Sequence, residues 1–168
     1  MSGETHIGLG PWGTSDFWLL EQTVGSPEMM RHLGGAETHE RMAQRQERFE
    51  QPGSGMFKIV DETTRKALGS VGFWERRWRS VDVYETGWFV LPGYQGRGIA
   101  TAATGKLIQL VKEDGRRRFL HAFPAVENAP SNAICSKLGF VLIDECDFEY
   151  PPGNLMRCND WRLELFDA

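Results

Sequence analysis

The stretch Leu91-Pro92-Gly93-Tyr94-Gln95-Gly96-Arg97-Gly98-Ile99-Ala100 constrains the fold more than any other part of the chain, because the hydrophobic period changes across it. Before it, Met56 to Val60, Leu68 to Glu75 and Val81 to Val90 are rich in β-branched and aromatic residues and are separated by polar turns, which predicts an antiparallel meander. After it, Ile99, Ala103, Leu107 and Leu110 recur at helical spacing, predicting one buried face down to Asp114-Gly115. A strand that ends in a glycine-rich turn and opens a helix binds anions. The helix start leaves N–H groups unpaired at the positive end of its dipole, and Gly96 and Gly98 let a phosphate reach the backbone with no Cβ in the way. The arrangement suits a diphosphate. A nucleotide-triphosphate loop would end in Gly-Lys-Ser/Thr, but Ile99-Ala100-Thr101 follow here. A dinucleotide fingerprint would follow the first strand of a βαβ unit, and this loop follows a meander.

The flanking regions complete a mixed order of elements. Ile7 to Trp12 reads as a first strand. Thr14, Ser15 and Asp16 cap a helix through Phe17, Leu19, Leu20 and Val24. Ser26-Pro27-Glu28 predicts a short helix over Met29 to Leu33, stopped by Gly34-Gly35, and a further helix runs from Thr38 to about Glu50. Phe119 to Ala122 is a short strand and Ser131 to Leu138 a helix ended by Gly139. Phe140 to Tyr150 and Met156 to Leu165 are two strands around Pro151-Pro152-Gly153-Asn154. This order implies an α+β (mixed α/β) domain on one sheet. A chain of 168 residues has the length for one substantial core, so residues 1–168 are expected to form a single domain.

Composition narrows the partners. A formal charge of −4 disfavours a general nucleic-acid binder and suits a cationic, amine-bearing ligand. No stretch approaches the roughly 18 apolar residues of a membrane span, and Met1 to Gly10 lacks the blocks of a signal peptide, so a soluble cytoplasmic protein is expected. Cys135, Cys146 and Cys158 are odd in number and lack C-x-x-C spacing, which argues against a disulfide framework and a zinc site. His6, His32, His39 and His121 show no ligand spacing, so no metal is expected.

With these residues in place the sequence resembles the GNAT superfamily of N-acetyltransferases. The coenzyme-A loop of that family reads Gln/Arg-x-x-Gly-x-Gly/Ala, matched by Gln95, Gly98 and Ala100. Gly69-Ser70-Val71-Gly72-Phe73 and Glu85-Thr86-Gly87-Trp88-Phe89-Val90 are similar to the two strands before the loop. Asn128-Ala129-Pro130-Ser131-Asn132 with Lys137-Leu138-Gly139-Phe140 is similar to the later cofactor segment. Arg31-His32-Leu33-Gly34-Gly35 is similar to the branch that acetylates ribosomal-protein N-termini. The resemblance implies a central, mostly antiparallel sheet flanked by helices and splayed between its fourth and fifth strands, where acyl-CoA lies like a substitute strand. Backbone groups of Phe89, Val90 and Leu91 would then hold the pantetheine amides. The N–H groups of Gln95, Gly96, Arg97, Gly98, Ile99 and Ala100 would hold the pyrophosphate, and the Asn128 side chain a pantetheine amide.

The implied activity is acetyl transfer from acetyl-CoA, as co-substrate, to a primary amine by direct attack in a ternary complex. A protein N-terminus and a small-molecule amine both fit as acceptor, and the protein would act as a monomer or homodimer. A larger donor such as succinyl-CoA, or a non-catalytic acyl-CoA-binding sensor or scaffold, is the alternative. The chemistry needs a base for the ammonium, a stabilised oxyanion and a proton for the leaving thiolate. Glu85 is the first candidate base and Glu149 its rival, with Asp147 competing in register and a water relay needing neither acid. Many members protonate the thiolate with a tyrosine where this chain has Cys135, so the role passes to Ser131, whose other reading is a helix cap after Pro130. Trp74, with Glu85, is a candidate for the acceptor wall, whereas tryptophans in strands are more often core. Arg116-Arg117-Arg118 follows a helix end and either complements its dipole or meets the 3′-phosphate of coenzyme A.

Overall fold

Strand alternation decides which face of the sheet each helix covers. The computed structural model describes residues 5–167. Among these the strands are β1 (Ile7–Pro11), β2 (Met56–Asp61), β3 (Ala67–Trp78), β4 (Val81–Val90), β5 (Phe119–Ala122), β6 (Val141–Glu149) and β7 (Leu155–Glu164), in one sheet ordered β1-β2-β3-β4-β5-β7-β6. Every neighbouring pair is antiparallel except β4 and β5. The helices are α1 (Phe17–Gln22), α2 (His39–Phe49), α3 (Ile99–Asp114) and α4 (Ala129–Lys137). The mixed architecture and the meander therefore stand as expected, with β3 running on to Trp78.

On one face, Val71, Tyr84, Val90 and Leu120 meet Ile99, Ala103, Leu107 and Val111 of α3 in the main core. Leu110, expected in the buried stripe, is half-buried and Val111 takes its place, because the buried arc also takes in Thr104 and Ile108 and is centred near Leu107, which puts Val111 inside it and Leu110 at its edge. Gly98 at φ +75° and Gly115 at φ +66° bound the helix, each supplying a left-handed residue that costs a larger side chain strain. At its far end the buried Tyr84 hydroxyl bonds Asp114 and accepts from the Arg116 amide at 2.9 Å. On the opposite face, Trp12, Leu19, Leu20, Val24, Met42 and Phe49 form a second cluster from α1 and α2. Gln46 ties it together, accepting from Trp12 Nε1 at 2.8 Å and donating to Gly13 O at 3.0 Å.

Two expected elements differ. Met29 to Leu33 forms no helix: Met30 N bonds Ser26 O four residues back, but Arg31 and Leu33 bond three back, so no second α-type bond follows. The helix expected at Ser131 begins at Ala129, capped by Asn128. Leu107 is fully buried against strand side chains. Leu107→Ala is expected to cost about 2–5 kcal/mol, seen as a lower urea midpoint at unchanged slope.

Candidate active site

β4 and β5 pair at only two positions, Tyr84 with Leu120 and Glu85 with His121, and then part. Each arm is held from its outer side. β4 stays registered on β3 up to Val90 opposite Gly69, and Leu91 N donates to Leu68 O at 2.9 Å. The chain after β5 stays with β7, through the Ala125–Cys158 bridge and Val126 N to Arg157 O at 3.1 Å. Asn132 fastens α4 to that second arm, donating to Ala125 O at 3.0 Å and accepting from Asn159 Nδ2 and Trp161 Nε1 at 2.9 and 2.8 Å. The result is a cleft lined by one bare edge of β4.

Ladder geometry says which groups line that edge. Since Leu91 N faces β3, the alternation of an antiparallel pair turns the amide groups of Phe89 to β3 as well, and those of Trp88 and Val90 to the cleft. The Phe89 and Leu91 amides, expected to meet a ligand, are thus turned to β3, and the Trp88 amide, missed in the sequence, faces the cleft beside that of Val90. Gln95 is corrected too. Its amide points to Pro92 O and its side chain donates to Val90 O at 2.8 Å, so it braces the loop against β4. The N–H groups left open begin at Gly96. Gly96 and Gly98 both have positive φ, +77° and +75°, and a Cβ on either would meet nothing within 4 Å. The first α-type bond is Ala102 N to Gly98 O at 3.0 Å, and no side chain caps α3, which leaves the N–H groups of Gly98, Ile99, Ala100 and Thr101 without intrahelical partners. Open space, left-handed glycines and an uncapped 16-residue helix fit a diphosphate at this loop.

Glu85 sits where the two strands part. Its neighbour Tyr84 points into the α3 core, so Glu85 points to the other face, beside its cross-strand partner Trp74. The carboxylate side chain is 13% exposed and accepts from Arg76 Nη1 at 2.9 Å. Burial pushes its pKa from the ordinary 4.5 up to about 7, against the opposing pull of the Arg76 charge and of hydrogen bonds from Arg76 and Trp74. Arg76 in turn lies over aromatic rings, 4.3 Å from the Phe148 centroid and under 6 Å from those of Phe123 and Trp78. Trp74 is 38% exposed beside Gly87, where a Cβ would come within 3.3 Å of the indole.

The remaining candidates separate. Ser131 does not cap α4; Asn128 does, accepting from Ser131 N at 3.3 Å, which leaves Ser131 Oγ to accept from Trp88 Nε1 across the cleft at 3.3 Å. Asn128 Oδ1 is therefore committed to the helix. Cys135 is fully buried, and burial pushes its thiol up to about 12, so it is a core residue. Glu149 does not reach the cleft. Cys146 and Phe148 are the inward residues of β6, the sheet's outermost strand, so Asp147 and Glu149 face out; Glu149 accepts from Gly153 N at 2.7 Å and Asp147 pairs with Arg157 at 3.1 Å. The run Arg116 to Arg118 pairs with Asp114, Glu75 and Glu164 at the far end of α3, about 24 Å from the loop at 1.5 Å per residue. Among the described residues no cluster of three or more His, Cys, Asp or Glu could hold a metal.

A family model described as "Acetyltransferase (GNAT) domain" matches residues 6–141, most of the chain and all of the cleft. The chain belongs to the GNAT acetyltransferase family. As a GNAT protein it is an acyl-CoA-dependent N-acyltransferase. No curated protein matches it significantly. Solved structures do. A GNAT-family acetyltransferase from Bacillus anthracis is 17% identical over 95% of both chains with a TM-score of 0.78. The ribosomal-protein-S5-alanine acetyltransferase of Vibrio fischeri is 18% identical over 96% of this chain and 94% of that one, TM-score 0.74. The spermidine N-acetyltransferase of Vibrio cholerae, solved with CoA and spermine, is 14% identical over 95% of both, TM-score 0.77. At these identities the likeness to each is one of fold.

The raised Glu85 pKa has a consequence for GNAT stability. The folded state holds this proton more tightly than the unfolded chain, so the contribution is present at low pH and is lost as pH rises from 4.5 through about 7. Urea unfolding across pH 4 to 8 should show wild type losing stability relative to Glu85→Gln over that window, and a pH-independent difference would refute the assignment.

Proposed function

We propose that the protein transfers an acetyl group from acetyl-CoA to a primary amine by direct attack within a ternary complex, with Glu85 as general base. The observation that carries this reading is the position of a buried carboxylate, its pKa raised by that burial, at the root of the cleft between β4 and β5. A base with a pKa near 7 combines a useful ionised fraction with enough basicity to take a proton from an ammonium at neutral pH.

The donor's place follows from the exposed backbone. The cleft-facing amides of Trp88 and Val90 would pair with the pantetheine amides as a neighbouring strand would, and the N–H groups from Gly96 to Thr101 would take the pyrophosphate. Coenzyme A bound in the Vibrio cholerae spermidine acetyltransferase, and acetyl-CoA in an acetyltransferase from Salmonella typhimurium of TM-score 0.70, support that donor for this fold. The thioester then lies toward Glu85. Glu85 accepts the amine's proton, freeing the nitrogen lone pair for the carbonyl carbon. As the tetrahedral adduct collapses, the carbon–sulfur bond breaks and the thiolate takes a proton from Ser131 Oγ–H, whose acceptor side is engaged by Trp88, while the second proton shed by the attacking nitrogen returns to that hydroxyl through water, so the products are the neutral amide and the free thiol. The neighbouring proteins are named for spermidine and for an alanine of ribosomal protein S5 as acceptors, and either chemistry supports an amine here.

Release of free thiol from acetyl-CoA in the presence of amines tests the reaction. Wild-type kcat is expected to rise with pH through an inflection near 7. Glu85→Gln should lower kcat by about 100-fold or more and remove the inflection, and a full rate with an unchanged profile would displace Glu85 as base. Gly98→Val, which forces a β-branched residue to φ +75°, should raise the KM for acetyl-CoA at least about tenfold while leaving that for the amine nearly unchanged; equal effects on both would count against the loop.

A further inference from the structure

The carboxylate proposed to meet the amine carries a fixed cation beside it. Arg76 Nη1 stands 2.9 Å from Glu85 Oε1, and the guanidinium plane is steadied by Phe148 at 4.3 Å with Phe123 and Trp78 behind. Arg76 makes no other ion pair among the described residues. The nearby acids are otherwise engaged: both oxygens of buried Asp160 are taken, by His121 Nδ1 at 2.6 Å and Trp78 Nε1 at 3.0 Å, and Glu75 is shared by Arg116 and Arg117. A third of the Arg76 side chain remains exposed while its Nε is buried without a partner, so an approaching anion would have to meet the guanidinium at its Nη groups.

These charges constrain the acceptor. An ammonium that approaches Glu85 also approaches Arg76, and a polyamine brings more positive charge to a guanidinium already in place. A molecule that carries a carboxylate beside its amine answers both partners, with the carboxylate on the outer Arg76 N–H groups and the nitrogen at Glu85. We propose that the acceptor is a small zwitterion of amino-acid type, selected by Arg76 as the specificity-determining residue. The proposal rests on the acyl-transfer reading of the same cleft. It also reverses the expectation drawn from net charge, because the −4 of the whole chain acts over long range while Arg76 sets the field at the amine.

The test is thiol release from acetyl-CoA with a panel of amino acids, each offered as free acid, carboxamide and decarboxylated amine, alongside spermidine. The free acid of at least one side chain should be used with a kcat/KM about 10- to 100-fold above its amide and its decarboxylated amine. Arg76→Gln should erase that preference through the KM of the free acid, and should move the kcat inflection to higher pH, because the charge that holds the Glu85 carboxyl down is gone. Arg76→Lys should retain part of the preference. Equal or better use of decarboxylated amines or spermidine by wild type would overturn the zwitterion while leaving acyl transfer intact, and this arm needs no variant. An Arg76→Gln protein that loses activity equally on all three forms would reduce Arg76 to a structural partner. No thiol release with any amine would remove the acyl-transfer reading itself.

Discussion

The parting of β4 from β5 is the constraint on which the rest of the molecule depends. A sheet edge inside a fold is normally paired, because buried amide groups without partners are costly. Here the two arms are pulled apart by their outer attachments, β4 to β3 and the chain beyond β5 to β7, and only Tyr84 and Glu85 bridge them. The bare edge is an incomplete ladder that an extended ligand with its own amides can finish. Helix α3 starts at the same edge, so its unpaired N–H groups and the strand's open groups face the same cleft from two directions.

The surroundings keep that cleft in shape without closing it. Trp88 reaches from β4 to Ser131 on α4, and Gln95 holds the loop to Val90. The segment between α1 and α2 spans the mouth, with His32 at 3.2 Å from Glu127 on one bank and Met29 against Gln95 on the other. The same segment is anchored behind by Glu37, buried against Arg45 and the Tyr150 hydroxyl. Rigidity of this kind is what the proposed base and thioester would need to react without reorganisation during the step.

Much of this was legible in the sequence, and the exceptions share a cause. Element types followed from period, and the loop from its glycines, because both are local. The short helix at Met29 failed because one helical turn has no propagation to stabilise it, and its residues went to a strap across the cleft. Phe89 and Leu91 were misassigned because strand parity cannot be read until a register is known; one bond, Leu91 N to Leu68 O, settles it and turns Trp88 and Val90 to the ligand side. Glu149 lost its place for a similar reason, since only the burial of Phe148 reveals that the acid beside it faces out.

What the sequence by itself determined, then, is the chain of local elements, the glycine-rich loop that opens α3 and the family they resemble, because glycine dihedrals, helix starts and hydrophobic periods act over a few residues. The tertiary structure alone decided the surroundings of the candidate site residues. It buried Glu85, which raises its pKa, set Arg76 against it from a neighbouring strand, and moved Asn128 into a cap while freeing the Ser131 hydroxyl. Burial and charge pairing join residues far apart in sequence, and no local pattern encodes the distance between them.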